Sequence, residues 1–446
     1  MPRNKRKILV LGGGFAGVEC IRRLESYFGR DPETELVLVS ESNFLLFTPM
    51  LPQVASGMIE TRHIIMPIRS ICKRTVFYEG RVRSIDPYGK SVTLWGTRER
   101  RGIVINYDFL VVALGSETNF FGLRDVERHA YTMKTLDDAV LLRNRVIDML
   151  ESAENENDPI LRKSELTFVV VGGGFAGVET AGEIMDFLVD ACRHYPHITR
   201  EDVSVVILEA LPSILPGFSE NLTKFAHEKL SERGVEIILD AAVTAFDGRE
   251  VKMKEIKGGK PRLRGITTRT LIWTAGVTPV NTIKRSVFKT ERGKILVDGF
   301  LEVPDMPGVF AIGDCAMFLD PETGRPFAPT AQIAEAQARA AARNLQGIIR
   351  NRDKEKFVYK SKGQMAIIGK RAGIASFMGT TLSGFWAWVL WRNVYLSKIP
   401  SLEKRIRVLI DWTADLFFGR DISRLRLFKK GGEKDYQELD EVDDVW

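Results

Sequence analysis

Cysteine is scarce in this 446-residue chain: four residues, Cys20, Cys72, Cys192 and Cys315, stand far apart without a CxxC or CxxxxC pair. That spacing excludes a disulfide framework and a vicinal redox dithiol, and leaves buried or bystander thiols in a reducing compartment. Low-complexity and collagen-like tracts are missing too. With 44% hydrophobic and 27% charged residues the composition is that of an ordinary folded protein. The opening MPRNKRKILVLGGG runs almost at once into an apolar strand, so no signal or transit peptide is expected in front of it. Long apolar runs are nearly absent. Residues 372–391 carry no charge for twenty positions, but GTTLSG at 379–384 reads as turn chemistry in their middle, and a shorter helix from Phe385 to about Leu396 is expected in place of a membrane span. No metal-ligating constellation is evident, and no metal is expected.

What is present is a repeat. The octapeptide GGGFAGVE occurs at positions 12–19 and again at 172–179, each time after a short apolar run. Around each copy the order is strand, tight glycine turn, helix, strand: 7–11, 16–28 and 36–39 in the first, 166–171, 176–190 and 203–208 in the second. A length above what one core supports, together with copies 160 residues apart, predicts two domains of similar build. Further strands are expected at 75–78, 91–95, 109–113, 237–239, 271–273, 295–297 and 309–312, with an alanine-rich helix over 331–344. The polar stretch 151–163, ESAENENDPILRK, reads as a surface link into the second domain.

Gly12-x-Gly14-x-x-Gly17 has the spacing of a dinucleotide-binding turn. The first glycine permits the tight turn, the second lets a pyrophosphate approach the backbone, and the third lets helix and strand pack closely. The positive helix end then meets the phosphate. Gly172, Gly174 and Gly177 repeat the arrangement, and Phe15 and Ala16 fall in the first turn. An acid at the end of the next strand should grip an adenosine ribose. Glu209 fills that place in the second unit, where it favours NADH over NADPH; in the first, Ser40 holds the usual position and Glu41, one residue later, is assigned the role. A strand ending in Gly313-Asp314 offers a small residue for close approach and a carboxylate for a ribityl or pyrophosphate oxygen. Two dinucleotides in one chain imply an internal relay from a visiting nicotinamide to a tightly held flavin.

With both glycine motifs, Thr274-Ala-Gly276 and Val309-Phe-Ala-Ile-Gly-Asp314 in this order, the chain resembles the two-dinucleotide-binding-domain flavoproteins, and within them the type II NADH dehydrogenases, single-subunit NADH:quinone oxidoreductases. Asn43-Phe-Leu-Leu-Phe-Thr-Pro-Met-Leu51, Glu209-Ala-Leu-Pro-Ser-Ile-Leu215, Pro329-Thr-Ala-Gln-Ile-Ala334, Tyr359-Lys-x-x-Gly363-x-x-Ala366-x-Ile-Gly369 and Trp391-Arg-Asn-Val-Tyr395 narrow the match, which extends to about Leu427. The resemblance implies an α/β fold of two Rossmann-like, glutathione-reductase-like domains plus a C-terminal amphipathic helical membrane-anchoring region. It implies an FAD-binding domain over 1–120 and 298–375, an NADH-binding domain over 121–297, an anchoring or dimerisation region over 376–430 and an acidic disordered tail over 431–446. It also places FAD on the first repeat, with Thr48 and Pro49 near the isoalloxazine and Ala113, Gly115, Gly313 and Asp314 among its contacts. NADH falls on the second, with Gly276 beside it and Glu179 toward the nicotinamide and flavin. Gln332 and Gln337 carry over from the family's glutamine signature beside the quinone tunnel, Gln332 also contacting the cofactor, but Ala336 replaces a glutamine.

A quinone acceptor, ubiquinone or menaquinone, lies in a bilayer, so the enzyme must dock there without pumping protons. Residues 391–430 hold ten Lys/Arg against four Asp/Glu, while 433–444 hold seven acids and one lysine. Within 403–418, Ile406, Leu409, Ile410, Thr413, Leu416 and Phe417 recur at helical spacing, with Lys404, Arg405 and Arg407 crowding one end. Such a helix suits a membrane interface and its anionic lipids, and a homodimer contact is the alternative use. The expected location is peripheral, on the cytoplasmic face of a bacterial or archaeal inner membrane, and no nucleic-acid partner is expected. Rival readings are a sulfide:quinone oxidoreductase, which needs reactive cysteines, a soluble ferredoxin or rubredoxin reductase, and a flavin-bearing redox sensor.

Overall fold

A computed structural model of the protein describes residues 5–96, 102–257, 259–321, 323–377 and 379–424. The acidic tail expected over 431–446 lies outside the described residues, as do Arg426, Lys429 and Lys430 of the basic region.

The strand ahead of the first glycine turn, Arg6–Leu11, lies inside a seven-stranded sheet. Its order is Val309–Ala311, Phe109–Val112, Arg6–Leu11, Thr34–Ser40, Val76–Asp86, Ser91–Gly96 and Gly102–Asn106. The first five strands run parallel and the last two turn back as an antiparallel meander. Parallel strands are covered on both faces, so they read as unbroken apolar runs; Ile8, Leu9, Val10 and Leu11 are all fully buried. The second copy builds a five-stranded, wholly parallel sheet in the order Tyr131–Thr132, Thr270–Trp273, Thr167–Val171, Ser204–Leu208 and Val235–Ile238. In register the copies match: Leu11 lies between Val39 and Val112, and Val171 between Leu208 and Trp273. The repeated octapeptide is therefore a repeated topology, a turn leaving the carboxyl end of an inner strand.

Two sequence expectations fail. Residues 151–163 are not a link: helix Leu136–Asn155 runs through their first part, and helix Pro159–Glu165 follows almost immediately. Thr135 and Asp138 close a capping box on the first helix. Asp158 caps the second by accepting from the Ile160 and Leu161 amides. The proline that suggested a break occupies the first helical position, where its missing N–H costs nothing. Residues 380–384 likewise form not a turn but a strand, Thr380–Gly384, paired antiparallel with Gly373–Phe377, itself paired with Gly363–Ile367. The left-handed backbone expected of a turn is confined to the two ends of the stretch, Gly379 at φ +81° and Gly384 at φ +73°.

Helices Phe385–Lys398 and Leu402–Ala414 complete the described chain. No described helix is long and apolar enough to cross a membrane. The second helix is two-sided in an informative way. Val408 and Trp412 are buried against the body, whereas Leu402, Ile406, Leu409 and Ile410, joined by Phe417 and Phe418 just beyond the helix, are exposed, Phe417 to 77%.

Candidate active site

The two glycine turns coincide in detail. Gly12 has φ +110° and Gly172 φ +106°, and their amides donate to the Val39 and Leu208 carbonyls at 2.8 and 2.9 Å. A Cβ on Gly17 would lie 1.8 Å from the Gly12 carbonyl oxygen, and one on Gly177 1.8 Å from that of Gly172. The third glycine is thus dictated by backbone contact within the protein. The second is not: a Cβ on Gly14 or Gly174 would have no atom within 4 Å. Both turns leave room at the amino end of a long helix, a cradle that a side chain would fill and a diphosphate fits.

Around the first turn opens a cleft of about 820 Å³, lined by Gly12, Gly14, Phe15, Ala16, Ser40, Glu41, Thr48, Ala113, Gly115, Gly313 and Asp314. Pro49 follows Thr48 in the short helical turn Thr48–Met50. Gly115, at φ +73°, has nothing within 4 Å of its missing Cβ. These residues fit an FAD-sized dinucleotide. Two polar groups that the sequence reading missed also line the cleft. Ser116 Oγ donates to Asp314 Oδ2 at 2.6 Å, and Lys134 Nζ donates to Ser116 Oγ at 2.8 Å and stands 3.7 Å from Asp314 Oδ2. Lys134 belongs to the segment beside Tyr131–Thr132, a strand of the other sheet, so no local signal could have brought it here.

Ser40 and Glu209 occupy equivalent places, each next after the residue that accepts the first glycine's amide. Ser40 Oγ lies so close under Gly13 that a Cβ there would come within 2.3 Å of it. Glu41 lines the cleft mouth and pairs with Arg81 at 3.6 Å. Glu209 is buried: its Oε2 accepts the Gly173 amide at 2.5 Å and its Oε1 the Leu211 amide at 2.8 Å. Two backbone donors thus orient the carboxylate at the rim of the second cradle. Gly276 has φ +80°, and a Cβ on it would meet the Phe121 ring at 2.6 Å.

Glu179 lies in the first turns of helix Phe175–Ala191, 8% exposed, with Oε1 accepting the Ile367 amide at 3.0 Å. Burial pushes its carboxyl up to about 8; the Ile367 amide holds it back, and Glu183 nearby adds to the rise. A proton is therefore held far more firmly here than on an ordinary carboxyl. Gln337 is buried, and its Oε1 accepts the Gly313 amide at 2.7 Å, so it braces the turn that presents Asp314. Gln332 is half-buried and accepts from the Tyr359 hydroxyl at 3.4 Å. Helix Ala331–Ile349 thus supports the first cradle through Gln337 and the C-terminal third through Gln332.

The cysteines offer no nucleophile. Burial pushes Cys72 up to about 12 and Cys315 up to about 11, and raises Cys20 and Cys192 as well. Cys315, nearest the cleft, is wholly buried beneath it with Sγ 3.2 Å from the Ile312 carbonyl. Among the described residues no three or more His, Cys, Asp or Glu could together hold a metal.

At the C-terminal end the exposed apolar face is ringed by cations that are partly engaged. Lys404 donates to the Arg62 carbonyl, Arg405 to those of Ile399 and Ser397, and Arg407 pairs with Glu403. Arg405 thereby caps the preceding helix, so the basic cluster is less free for a partner than its sequence suggests.

The profile of the family described as pyridine nucleotide-disulphide oxidoreductase matches residues 6–338, and that of the NDH2 C-terminal domain residues 361–421. A probable NADH dehydrogenase of Dictyostelium discoideum is 32% identical over 94% of this chain and 91% of its own length. A type II NADH:quinone oxidoreductase of Mycobacterium tuberculosis is 32% identical over 94% and 88%. The external alternative NADH-ubiquinone oxidoreductase of Yarrowia lipolytica mitochondria is 30% identical over 94% and 81%. In fold, NDH2 of Plasmodium falciparum superposes with a TM-score of 0.85 at 22% identity, covering 94% of this chain and 100% of that one. The sulfide:quinone oxidoreductase of Aquifex aeolicus superposes less well, with a TM-score of 0.71 at 18% identity over 93% and 95%.

Proposed function

The chain belongs to the pyridine nucleotide-disulphide oxidoreductase family and, within it, to the type II NADH:quinone oxidoreductases, and we propose how its own residues divide that work. The enzyme passes a hydride from NADH to FAD and two electrons on to a membrane quinone, without pumping protons. The observation that carries the assignment of cofactors is the pair of cradles, matched in backbone and both open at their second glycine.

FAD, when bound, supplies the hydride acceptor and the store for two electrons. The chain supplies position and charge. Amides at Gly14, Phe15 and Ala16 receive the flavin diphosphate; Asp314, with Ser116 and Lys134, meets the ribityl chain, and Ser40 and Glu41 the adenosine ribose. On the second cradle Gly172, Gly174 and Gly177 receive the nicotinamide dinucleotide. Glu209 binds its adenosine hydroxyls and repels an added phosphate, which selects NADH. Glu179, its proton held firmly by burial, presents a neutral donor to the nicotinamide side, and no uncompensated carboxylate repels the electron pair that accumulates nearby. Gln332 serves the quinone side and Gln337 supports it through Gly313, with Ala336 leaving that wall smaller than a glutamine would.

We assign residues 1–120 and 298–375 to the flavin domain, 121–297 to the NADH domain and 376–430 to anchoring. What supports this division is that the strands of the seven-stranded sheet and those of the five-stranded sheet are each drawn from within one of the first two groups. The enzyme is a peripheral membrane protein. Its exposed face of Leu402, Ile406, Leu409, Ile410, Phe417 and Phe418 suits the headgroup boundary of an anionic bilayer, and a second copy of the chain is the other occupant that face would accept. In a prokaryotic cell, where NADH is cytoplasmic, the docking side is the cytoplasmic face of the inner membrane. The test is flavin absorbance of the purified, FAD-loaded protein in liposomes. NADH bleaches it and either ubiquinone or menaquinone restores it, the faster of the two being the natural acceptor. Bleaching by sulfide and not by NADH would overturn the reading.

A further inference from the structure

Glu179 is not alone on its helix face. Glu183 follows one turn later and is 1% exposed. Two carboxyls stacked in a dry interior call for a counter-charge, yet among the described residues only one of them meets a cation. Arg420 Nη2 donates to Glu183 Oε2 at 3.0 Å and its Nη1 to the Glu183 carbonyl at 3.0 Å, while its Nε reaches Asp415 Oδ1 at 3.3 Å. All three side chains are 4% exposed or less. Glu179 has the Ile367 amide in place of a cation.

The same knot gathers the flavin side. Ser56 Oγ donates to Glu183 Oε2 at 2.8 Å, and Trp412 Nε1 donates to Gln53 Oε1 at 3.1 Å. Gln53 and Ser56 lie in and just after helix Leu51–Ala55, which directly follows Thr48 and Pro49. Arg392, 3.9 Å from the Trp388 ring and 4.7 Å from that of Trp412, is the other cation close by. The remaining acids pair elsewhere, Asp186 with Arg233 and Asp190 with Arg193 and Lys370, and the buried Tyr395 is the other titratable group that faces Glu179. Three stretches remote in sequence therefore meet at one buried guanidinium.

We propose that Arg420 is a positioning residue for hydride transfer: by gripping both the side chain and the main chain of Glu183 it ties the membrane-facing C-terminal segment to the Glu179 helix and sets where the Glu179 carboxyl stands. A buried ion pair adds little stability over apolar groups of the same shape. What a guanidinium bonded to both ends of one residue does add is a fixed rotation and height of the helix at that residue, and Glu179 rides on the same helix one turn earlier. Without Arg420, Glu183 loses the charge that draws its carboxyl down against burial. Burial already holds that carboxyl above its ordinary value, so without Arg420 it rises further and its push on Glu179 weakens.

The inference rests on the assignment of Glu179 to the nicotinamide side, and the test separates the two. Four full-length, FAD-loaded proteins are compared below their melting temperatures: Arg420→Met, Arg420→Lys, Glu179→Gln and the double variant Arg420→Met/Glu179→Gln. Stopped-flow bleaching of the flavin gives the hydride-transfer rate and the NADH Kd. The infrared band of the protonated Glu179 carboxyl, identified by its loss in Glu179→Gln, gives a pH midpoint independent of turnover. Arg420→Met should slow bleaching about 10-fold, a fraction of the roughly 100-fold that a misplacement of about 1 Å costs, with Kd moved less than about 3-fold, below the factor of ten that 1.4 kcal/mol represents. Its midpoint should fall below the wild-type value of about 8. Arg420→Lys should recover part of both, and Arg420→Met should add nothing in the Glu179→Gln background. Losses that multiply in the double variant, or a midpoint unmoved in Arg420→Met, would overturn the proposal alone. If Arg420→Met does not fold, Arg420→Lys carries the midpoint measurement. A Glu179→Gln protein bleaching at the wild-type rate would overturn the assignment of Glu179 and the proposal with it.

Discussion

Replacing Gly174 by alanine separates what the protein needs from what its ligand needs. The residue has φ −73° and ψ −173°, extended backbone open to any residue. Its Cβ would have no protein atom within 4 Å. Folding should therefore be untouched or slightly improved, by about 0.4–1 kcal/mol from the lower entropy of the unfolded chain. Nucleotide binding should not. A methyl group at the point of closest diphosphate approach is an overpacked contact costing about 1–3 kcal/mol, or roughly 5- to 150-fold in the Kd for NADH. Gly177→Ala is the contrast: its Cβ would fall 1.8 Å from the Gly172 carbonyl oxygen, so that protein should lose stability before any nucleotide arrives. Thermal melting and flavin bleaching titrated with NADH measure the two effects. Bound FAD should be unchanged in Gly174→Ala and reduced in the equivalent Gly14→Ala. A stable Gly174→Ala protein with wild-type NADH affinity would refute the argument that the open second glycine is a diphosphate seat.

Glu209→Arg removes a carboxylate held by two backbone amides and should weaken NADH use while improving NADPH use; unchanged preference in steady-state assays would show that this carboxylate does not read the ribose. Because Glu179 titrates near 8 when folded against an ordinary value of 4.5, the folded state binds the extra proton between these limits. Its contribution to stability is complete below about 4.5 and is lost as pH rises toward about 8. Glu179→Gln should therefore flatten that decline in denaturant titrations across this range. Ile406→Lys combined with Ile410→Lys changes only exposed positions and should release the protein from anionic vesicles without loss of turnover with a water-soluble quinone. Truncation before Trp391 would be a poorer test, since it removes the buried Trp391, Val408 and Trp412.

Much of the site was legible because its chemistry is local. Turn, helix start and the acid after the following strand lie within one βαβ unit, so the glycine spacing announces the cradle and the strand end announces the carboxylate of Glu209 at its rim. The stretch 151–163 was misread as a link because a proline and a run of polar residues look alike in a link and where one helix ends and a capped one begins. Strand Thr380–Gly384 hid behind turn-forming residues for the same reason. Gln337 was legible as a residue but not in its contact, since nothing local indicates that its oxygen would face the Gly313 amide.

The sequence by itself determined the two cradles and their order, because each rests on backbone geometry that only certain residues permit within a few positions. Tertiary structure alone decided what stands between and beneath them: Lys134 beside Asp314, a Glu179 carboxyl pushed up by burial, and Arg420 locked under Glu183. Charge pairing and desolvation depend on which distant segments exclude water together, and a linear pattern does not encode that exclusion.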